Sequence, residues 1–340
     1  MIKKKEYRKI SVLGTGGWGT ALAILLHEKG HHVTLWGATP DYVDFLKQKR
    51  ENRKYLKGIT IPTDLTITSK IEDAQDDVNF IVVAIPTPYV RSVIEKGKDS
   101  YAPGTCLVSV MKGIENDTLM RSSEILTDVL GKQPIALLFG PSHAEEVAKK
   151  LPTTVVVASE DVELAREIQK IFTTNRFRIY TNPDVIGVEL GGSLKNVIAI
   201  AAGICEGLGF GDNSKAALLT RGLSEIIRLG VAMGGQRDTF SGLTGLGDLI
   251  TSCVSPFGRN RFVGEQIAKG KKLSQLLKEM NQVAEGVRTT KSVCKLAEKF
   301  NVEMPITSEI YKVLFEDKDP MEAVNELMVR ELKSEIEFLP

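Results

Sequence analysis

The sequence predicts an α/β domain with a mainly parallel sheet, followed by an all-α domain. Short β-branched runs alternate with helical stretches up to about Val188, and beyond Glu189 the strand signals give way to long helical segments. A chain of 340 residues is long enough for two packed domains. We place the first domain at residues 1–188 and the second at residues 189–340.

Composition and charge exclude several classes of protein. Lys+Arg 44 against Asp+Glu 43 gives a net charge of +1, so no overall field draws the chain to nucleic acid or to an anionic membrane. The longest apolar run, residues 197–205, is too short to span a bilayer, and the run after the basic leader is too short for a signal peptide. We therefore predict a cytoplasmic protein without membrane insertion. The four cysteines lack paired spacing, so we predict no metal site.

Six apolar runs in the first domain are predicted strands. Continuous runs of this length, separated by helices, are typical of parallel strands that are buried on both faces. They lie at residues 10–13, 33–36, 80–85, 107–110, 135–139 and 154–158. In the second domain, residues 215–233 and 289–300 are predicted helices.

A glycine pattern lies between the first strand and a helix predicted at residues 20–29. Gly14, Gly16 and Gly19 have the spacing Gly-x-Gly-x-x-Gly. In a dinucleotide-binding fold the first glycine allows a tight turn, the second lets the backbone approach a pyrophosphate, and the third lets helix and strand pack closely. The N-terminus of the helix favours the anion. The pattern therefore predicts a Rossmann domain that binds a dinucleotide cofactor.

The ends of the predicted strands indicate where the rest of this site lies, because ligands of open parallel sheets bind outside the carboxyl ends of the strands. The segments that follow the strands include Gly14 and residues 37–38, 86–88, 111–115 and 140–146. Lys112 is the only lysine or arginine among them. We expect Lys112 to face a ligand, although a solvated loop lysine is the alternative.

Lys195 is the one lysine in an apolar and glycine-rich stretch, residues 185–211. Burying an ammonium costs several kcal/mol unless it is paired, so this side chain either extends to water or serves a cleft as a general acid–base group. The polar neighbour Asn196 favours the catalytic interpretation. Asp248 stands alone in another apolar helical stretch and needs a partner, which Lys195 would provide.

Arg259 and Asn260 follow a turn rich in Ser, Thr, Pro and Gly, at residues 251–258. Such a turn is typical of the start of a helix. A guanidinium at the N-terminus of a helix is suited to a phosphate dianion. These residues therefore predict a phosphate-binding position in the second domain.

Seven segments carry a resemblance to a known family: GTGGWGTALA, MKGIE, GPSHAEEVA, ELGGSLKNVIAIAAG, GLGDLITSC, GRNR and VAEGV. In order and spacing they resemble the NAD(P)-dependent glycerol-3-phosphate dehydrogenases of bacteria, over nearly the whole chain. The resemblance implies a substrate cleft between a Rossmann domain and a helical domain, in a homodimer. It also implies reversible hydride transfer from NAD(P)H to dihydroxyacetone phosphate, which gives sn-glycerol 3-phosphate for glycerophospholipid synthesis.

The resemblance also implies roles for single residues. Lys195 is the implied catalytic acid–base group, with Lys112 and Asp248 as the other members of the catalytic set. The implied substrate contacts are Lys112, Gly140, Ser142, Asn196, Asp248, Ser252, Arg259 and Asn260. The implied cofactor contacts, together with Gly14, Gly16 and Gly19, are Gly17, Trp18, Lys112, Ala144, Arg259, Val283 and Glu285.

Three positions depart from the pattern of this family. Gly258 stands where bacterial members usually carry serine, which puts one contact to a substrate hydroxyl in question. His143 stands where many members have phenylalanine, although histidine also occurs there. Ala38 stands where many bacterial members have arginine, which puts the choice of cofactor in question.

The residues suit this substrate on chemical grounds as well. Dihydroxyacetone phosphate has a ketone that receives the hydride and a phosphate that must be held in place. The site therefore needs a proton donor near the ketone oxygen and a cation at the phosphate. Lys195 and Arg259 would supply these groups, with Asn260 beside the phosphate. Lys112 would add positive potential, and Asp248 would fix the ammonium of Lys195.

The end of the second strand bears on the cofactor. An acidic residue about 20 positions after the glycine loop binds the ribose of NAD, and an arginine there accepts the 2′-phosphate of NADP. This chain has Ala38 at that place, and Asp41 lies beyond Pro40. We predict that NADH works at least as well as NADPH. Lys47 or Arg50 would be the substitutes if a phosphate site persists.

Two other classes of protein remain as alternatives. A related dehydrogenase that acts on a hydroxy acid would share the Rossmann domain and a catalytic lysine, but it has no need of the GRNR turn. A catalytically silent protein that senses the dinucleotide would have no use for a buried lysine with a carboxylate partner. Assays with a panel of substrates distinguish the three classes.

Overall fold

The computed structural model describes residues 7–280, 284–332 and 334–335. In these residues an α/β domain with a mainly parallel sheet precedes an all-α domain, which confirms the predicted fold class. The strands are β1 (Lys9–Leu13), β2 (His32–Trp36), β3 (Glu51–Asn52), β4 (Leu56–Thr60), β5 (Thr66–Thr68), β6 (Phe80–Val83), β7 (Cys106–Ser109), β8 (Ile135–Phe139), β9 (Thr153–Ala158) and β10 (Phe177–Asn182). The helices are α1 (Gly17–Glu28), α2 (Pro40–Lys49), α3 (Thr87–Lys96), α4 (Ser122–Leu130), α5 (Ala144–Ala148), α6 (Val162–Phe172), α7 (Val185–Gly207), α8 (Asp212–Ala232), α9 (Arg237–Phe240), α10 (Asp248–Val254), α11 (Arg259–Ala268), α12 (Leu273–Glu279), α13 (Glu285–Lys299), α14 (Pro305–Phe315) and α15 (Pro320–Met328).

One sheet has the strand order β10-β9-β8-β7-β6-β1-β2-β5. Neighbouring strands from β8 to β5 are parallel, so their carboxyl ends meet at one edge. β9 runs antiparallel to β8, and β10 is parallel to β9. The prediction that residues 154–158 add another parallel strand was therefore wrong for the pairing with β8. A continuous apolar run indicates burial on both faces, but it carries no information about the direction of the strand.

The glycine loop joins β1 to α1 through two close backbone approaches. Gly14 has a φ of +124°, and a Cβ there would lie 2.5 Å from the carbonyl oxygen of Ala84. A Cβ on Gly19 would collide with the carbonyl oxygen of Gly14. α1 begins at Gly17, three residues before the predicted start. The low helix propensity of glycine argues against a helix there, but the close packing of the loop requires glycine and overrides that propensity.

α7 is the central helix of the all-α domain. Its 23 residues are long and apolar enough to cross a membrane by length and composition, a property that the shorter run at residues 197–205 did not reveal. The run at residues 197–205 therefore understates the apolar length of this helix. Inside the protein, however, 89% of the apolar window of α7 is buried, and α8, α10, α11 and α13 pack around it. α7 is the core helix of the second domain.

The reversal at β9 determines where α7 starts. β9 and β10 run away from the carboxyl edge of the parallel strands, so the chain enters α7 at the opposite edge and returns along the sheet. Ten residues of helix rise about 15 Å, and a strand of five or six residues spans ~17–20 Å. Gly192 accordingly packs against Phe139, the last residue of β8. Lys195, one turn further along α7, reaches the carboxyl edge of the sheet.

Candidate active site

A cavity of about 470 Å³ lies at the carboxyl edge of the sheet. The segments predicted from the ends of the strands meet there, because the cavity is lined by the glycine loop, the ends of β2, β6 and β7, and the start of α5. Each segment follows a parallel strand, whose register brings its carboxyl end to the same level. The predicted edge is therefore a real concave surface.

The shape of this cavity fits a dinucleotide. A Cβ on Gly16 would meet no heavy atom within 4 Å in the described chain, so the loop leaves open space where a pyrophosphate would approach. Within the described ranges no side chain caps the N-terminus of α1, and its first turn has no acidic residue, which leaves its N–H groups available to an anion. Trp18 Nε1, a hydrogen-bond donor, is buried with no acceptor among the described residues.

A second cavity, of about 100 Å³, adjoins the first. The two cavities share six lining residues: Lys112, Ser142, His143, Phe257, Arg259 and Glu285. The second is also lined by residues of the all-α domain, including Lys195, Asn196, Asp248, Ser252 and Asn260. The arrangement is that of a small substrate pocket open to a larger cofactor groove, with both domains contributing side chains.

At the centre of the second cavity two ammonium groups share one carboxylate. Lys195 Nζ donates to Asp248 Oδ1 at 2.7 Å, and Lys112 Nζ donates to Asp248 Oδ2 at 2.7 Å. Asp248 is 2% exposed and Lys195 is 5% exposed. The predicted pairing of Lys195 with Asp248 is therefore present, and Lys112 is a second partner that the sequence did not indicate. A buried carboxylate between two cations satisfies the requirement that buried charges be paired.

Neighbouring groups fix the two lysines. Ser252 Oγ accepts a hydrogen bond from Lys195 Nζ, and Ser252 lies one turn after Asp248 on α10. The carbonyl oxygen of Gly140 accepts from Lys112 Nζ at 2.8 Å. Asn196 Nδ2 donates to the carbonyl oxygen of Lys112 at 3.1 Å, which ties α7 to the loop after β7. An ammonium has three N–H donors, and each lysine uses two of them within the described chain. One N–H of each lysine therefore remains for a ligand.

Burial favours the neutral forms of a lysine and a carboxyl group in the cavity, with opposite effects on its charge. Burial lowers the pKa of Lys112 to about 8, against the opposing effect of the Asp248 carboxylate. Burial also raises the pKa of Glu285, which reduces its negative charge, while Arg259 opposes that shift. Three cationic side chains and two carboxylates line the cavity. The net charge is therefore positive below about pH 8, which suits an anionic ligand.

Arg259 begins α11, and its N-cap is Gly258. The predicted helix start is thus confirmed, but the predicted turn at residues 251–258 is too long, because residues 251–254 belong to α10. Asn260 Oδ1 accepts from the backbone N–H of Gly286 at 3.0 Å, so this side chain also fastens the start of α13. A Cβ on Gly258 would lie 2.7 Å from the carbonyl oxygen of Ser252, so the backbone here is packed around the bare glycine.

The remaining predicted residues lie at or beside the two cavities, with one exception. Gly14, Gly16, Gly17, Trp18, Gly19, Lys112, Ala144, Arg259 and Glu285 line the larger cavity. Ser142 lines both and donates from Oγ to the carbonyl oxygen of Gly140 at 2.9 Å. Val283 lies outside the described residues.

The proposed substitutes for a phosphate-binding arginine are placed differently. Arg50 donates to the carbonyl oxygens of Pro62 and Leu65, so its guanidinium braces a loop. Lys47 pairs with Asp44 on the surface of α2. Neither lines the larger cavity among the residues described there, whereas Ala38 does.

Sequence reasoning missed several residues that line the site. Tyr55 reaches the larger cavity from the β3–β4 hairpin, and a Cβ on Gly17 would lie 2.6 Å from its carbonyl oxygen. Phe257 lines both cavities from the turn before Arg259. Aromatic residues in loops carry no periodic or motif signal, so only the tertiary structure reveals them.

Fold and site define a two-domain protein with a Rossmann-type dinucleotide groove and a cationic pocket between the domains. Family models for the N-terminus and the C-terminus of NAD-dependent glycerol-3-phosphate dehydrogenase match residues 9–165 and 184–325. The chain belongs to the NAD-dependent glycerol-3-phosphate dehydrogenase family.

Individual relatives are similar over their full length. A glycerol-3-phosphate dehydrogenase [NAD(P)+] of Fusobacterium nucleatum is 50% identical over 331 residues, which cover 97% of this chain and 99% of the relative. The enzyme of the same name from Geobacillus kaustophilus is 50% identical, with 97% of both chains covered. The crystal structure of glycerol-3-phosphate dehydrogenase from Coxiella burnetii superposes with a TM-score of 0.92 at 38% identity, covering 95% of this chain and 99% of that one.

Proposed function

We propose that this chain is a glycerol-3-phosphate dehydrogenase that reduces dihydroxyacetone phosphate reversibly to sn-glycerol 3-phosphate, in the supply of glycerophospholipid synthesis. The observation that carries the proposal is the shared carboxylate of Asp248, which holds two ammonium groups in a positive pocket beside a dinucleotide groove. A pocket of about 100 Å³ is suited to a three-carbon phosphate rather than to a larger ligand.

The glycine loop and the N-terminus of α1 would hold the pyrophosphate of the cofactor, and the rest of the larger cavity would hold the remainder. NADH or NADPH supplies the hydride when bound. Glu285 and Arg259 line both cavities, so they lie where cofactor and substrate meet. Thr87 donates its backbone N–H to Glu285 Oε1 at 3.3 Å, which links α3 of the first domain to α13 of the second.

Lys195 acts as the acid–base group of the proposed reaction. Asp248 and Ser252 accept hydrogen bonds from two of its N–H groups, and the third N–H is available to a ligand in the pocket. In reduction it gives a proton to the developing alkoxide, and in oxidation it takes the proton back. Asp248 holds the ammonium in place, and the Lys112 ammonium stabilises negative charge on the oxygen.

Arg259 and Asn260 hold the phosphate at the start of α11. The guanidinium makes charge-assisted hydrogen bonds to the dianion, and backbone N–H groups of the first turn add to the positive potential. Ser142 and Asn196 line the pocket as further polar contacts. Gripping the phosphate orients the ketone for reaction.

The finer parts of the proposal concern assembly and location. We assign residues 1–188 to the cofactor domain and residues 189–340 to the substrate domain, with the boundary inside the first turn of α7. The protein is proposed to be a cytoplasmic homodimer without membrane insertion, on the strength of the family resemblance. Light scattering of the purified chain measures its mass directly, and a monomeric mass would contradict the dimer.

The test of the function is steady-state reduction of dihydroxyacetone phosphate with NADH and with NADPH, side by side. Turnover with either cofactor, and none with a panel of 2-keto acids, supports the proposal. Turnover of a keto acid alone would favour a hydroxy-acid dehydrogenase. Cofactor binding with no turnover of any substrate would favour a dinucleotide sensor.

A further inference from the structure

His143 is a titratable group at the junction of the two cavities that the proposed mechanism does not use. It lies between Ser142 and the start of α5, and it lines both the cofactor groove and the substrate pocket. Its ring packs against the ring of Phe257 at a centroid distance of 5.8 Å. The position places the imidazole within the small space that a three-carbon substrate would occupy.

The Nε2 atom of His143 is buried and has no hydrogen-bond partner in the described part of the chain. The backbone of Thr251 acts to raise the pKa of His143 through hydrogen bonding, which is the effect of a carbonyl oxygen that accepts from the ring. Because Nε2 has no partner, the proton given to Thr251 belongs to Nδ1, and Nε2 carries a lone pair. A buried acceptor without a donor costs about 1–3 kcal/mol, so an occupant of the pocket gains by supplying one.

The imidazole is neutral at physiological pH. Burial, together with the nearby Lys195 and Lys112 ammonium groups, lowers the pKa of His143 to about 4. A neutral ring that donates from Nδ1 can only accept at Nε2. The side chain therefore presents a hydrogen-bond acceptor to the pocket at every pH at which the enzyme would be assayed.

The functional groups of the substrate differ in what they offer to an acceptor. A ketone and a phosphate dianion only accept hydrogen bonds, and the one donor on dihydroxyacetone phosphate is its free hydroxyl. His143 lines the substrate pocket together with Lys195 and Asp248, neither of which lines the larger cofactor cavity. His143 therefore borders the space in which the hydroxyl of the substrate would lie.

We propose that His143 Nε2 accepts a hydrogen bond from the free hydroxyl of dihydroxyacetone phosphate and so makes the enzyme selective for a substrate with a hydroxymethyl group beside the ketone. The inference rests on the proposed function. His143 is a specificity-determining residue in this role, and it transfers no proton.

The test compares two substrates with three forms of the enzyme. Hydroxyacetone phosphate carries a methyl group in place of the hydroxymethyl group and is otherwise the same. Wild type is expected to prefer dihydroxyacetone phosphate in kcat/KM by about tenfold, the value of one hydrogen bond with its buried partner. His143→Phe keeps the ring against Phe257 but removes the acceptor, so it is expected to lose about tenfold on dihydroxyacetone phosphate and little on the methyl analogue.

His143→Gln provides the conservative comparison, because its side-chain oxygen can accept near the position of Nε2. It is expected to recover part of the preference for the hydroxyl that His143→Phe loses. His32→Phe, at an exposed histidine on β2, is the matched control and should leave both substrates unaffected. Should hydroxyacetone phosphate turn over too slowly, its inhibition constant against dihydroxyacetone phosphate gives the same comparison.

Two results would overturn the inference. An equal loss on both substrates in His143→Phe would mean that the ring only packs. A loss that disappears with the 3-acetylpyridine analogue of NADH, which lacks the carboxamide N–H groups, would mean that Nε2 meets the cofactor instead. Failure of the wild type to reduce dihydroxyacetone phosphate at all would be a different result, because it would refute the proposed function itself.

Discussion

Lys112 and Lys195 donate to opposite oxygens of one carboxylate, each at 2.7 Å from Asp248. The two lysines come from different domains, one from the loop after β7 and the other from the middle of α7. Because the two lysines share Asp248, neither requires a separate buried partner. Asp248 keeps one ion pair if either lysine is substituted. This geometry makes single substitutions at the site informative, because they need not unfold the protein.

Lys195→Ala is expected to fold and bind NADH while losing on the order of 100-fold or more in kcat, the usual contribution of positioned acid–base catalysis. The fold survives because Asp248 retains its ion pair with Lys112. Stopped-flow or steady-state assays give kcat, and thermal unfolding and NADH titration verify the two controls. A variant with kcat near that of the wild type would remove Lys195 from the mechanism.

Arg259→Ala is expected to raise KM for dihydroxyacetone phosphate far more than for unphosphorylated dihydroxyacetone. A charge-assisted contact to phosphate contributes about 1.5 to 3 kcal/mol, or roughly 10- to 150-fold. Arg237→Ala, at an exposed arginine of α9, is the matched control. Equal losses on both substrates would rule out the phosphate role.

The activity is expected to fall as pH rises above about 8, because Lys112 then loses the charge that attracts the phosphate ester. The ordinary lysine pKa is 10.5 and the buried one is about 8, so the unfolded chain binds more protons between these values. The contribution of this group to the free energy of unfolding therefore increases with pH in that window, while binding weakens. The measurement is kcat/KM for dihydroxyacetone phosphate from pH 6 to 10.

Lys112→Met tests the assignment of that pH dependence. It is expected to lower kcat/KM at neutral pH and to abolish the decline near pH 8, whereas Lys98→Met, at an exposed lysine, should keep the wild-type profile. A decline that persists unchanged in Lys112→Met would assign it to another group.

Gly16→Ala is expected to weaken NADH binding by about tenfold or more, because its methyl group would occupy the space left for the pyrophosphate. The control is Gly211→Ala, since both glycines are N-caps with negative φ and open space around a Cβ. Both variants should lose similar small amounts of stability, about 1 kcal/mol or less. Equal NADH affinities in the two variants would place the cofactor elsewhere.

NADH is expected to work at least as well as NADPH, because no arginine or acidic residue occupies the end of β2. Ala38→Arg should then gain NADPH activity, by up to roughly 10- to 150-fold for one new contact to the 2′-phosphate. The measurement is kcat/KM for both cofactors in both proteins.

Two outcomes would count against this prediction about the cofactor: a native preference for NADPH above about tenfold, which is 1.4 kcal/mol, or an Ala38→Arg variant with no gain. If the native protein prefers NADPH, Arg53 and Lys54 would be the residues to substitute in search of the 2′-phosphate site. They line a shallow surface pocket that shares Thr39 with the cofactor cavity. Arg53 and Lys54 are therefore the candidates for this role instead of Lys47 and Arg50, whose side chains make their contacts elsewhere.

Much of the fold could be predicted because its strands are buried on both faces. The apolar runs at residues 10–13 and 135–139 correspond closely to β1 and β8. β10 escaped notice because its sequence FRIYTN alternates buried and exposed residues and includes an arginine. β5 has only three residues at the edge of the sheet, too few to leave a pattern. The direction of β9 is not encoded in its apolar composition, which indicates only burial on both faces.

The site was predictable where a residue type is unusual for its surroundings. A lone lysine in α7 and a lone carboxylate in α10 each implied a partner, and the structure joins them. The second contact of Asp248, with Lys112, depends on how two domains meet, and no local pattern contains that information. His143 was visible only as a departure from a family pattern. Its unpartnered nitrogen is a property of the packed molecule.

The antiparallel course of β9 makes the spacing along α7 a condition for the position of Lys195 in the pocket. The chain enters α7 at the edge of the sheet away from the site, so the eleven residues from Val185 to Lys195 must match the height of the strands. Removing one of them would shift Lys195 by about 1.5 Å along the helix and rotate it by about 100°. A surface loop far from the site can change length without moving the Lys195 ammonium group. The first three turns of α7 cannot, because their number of residues is set by the height of the adjacent sheet.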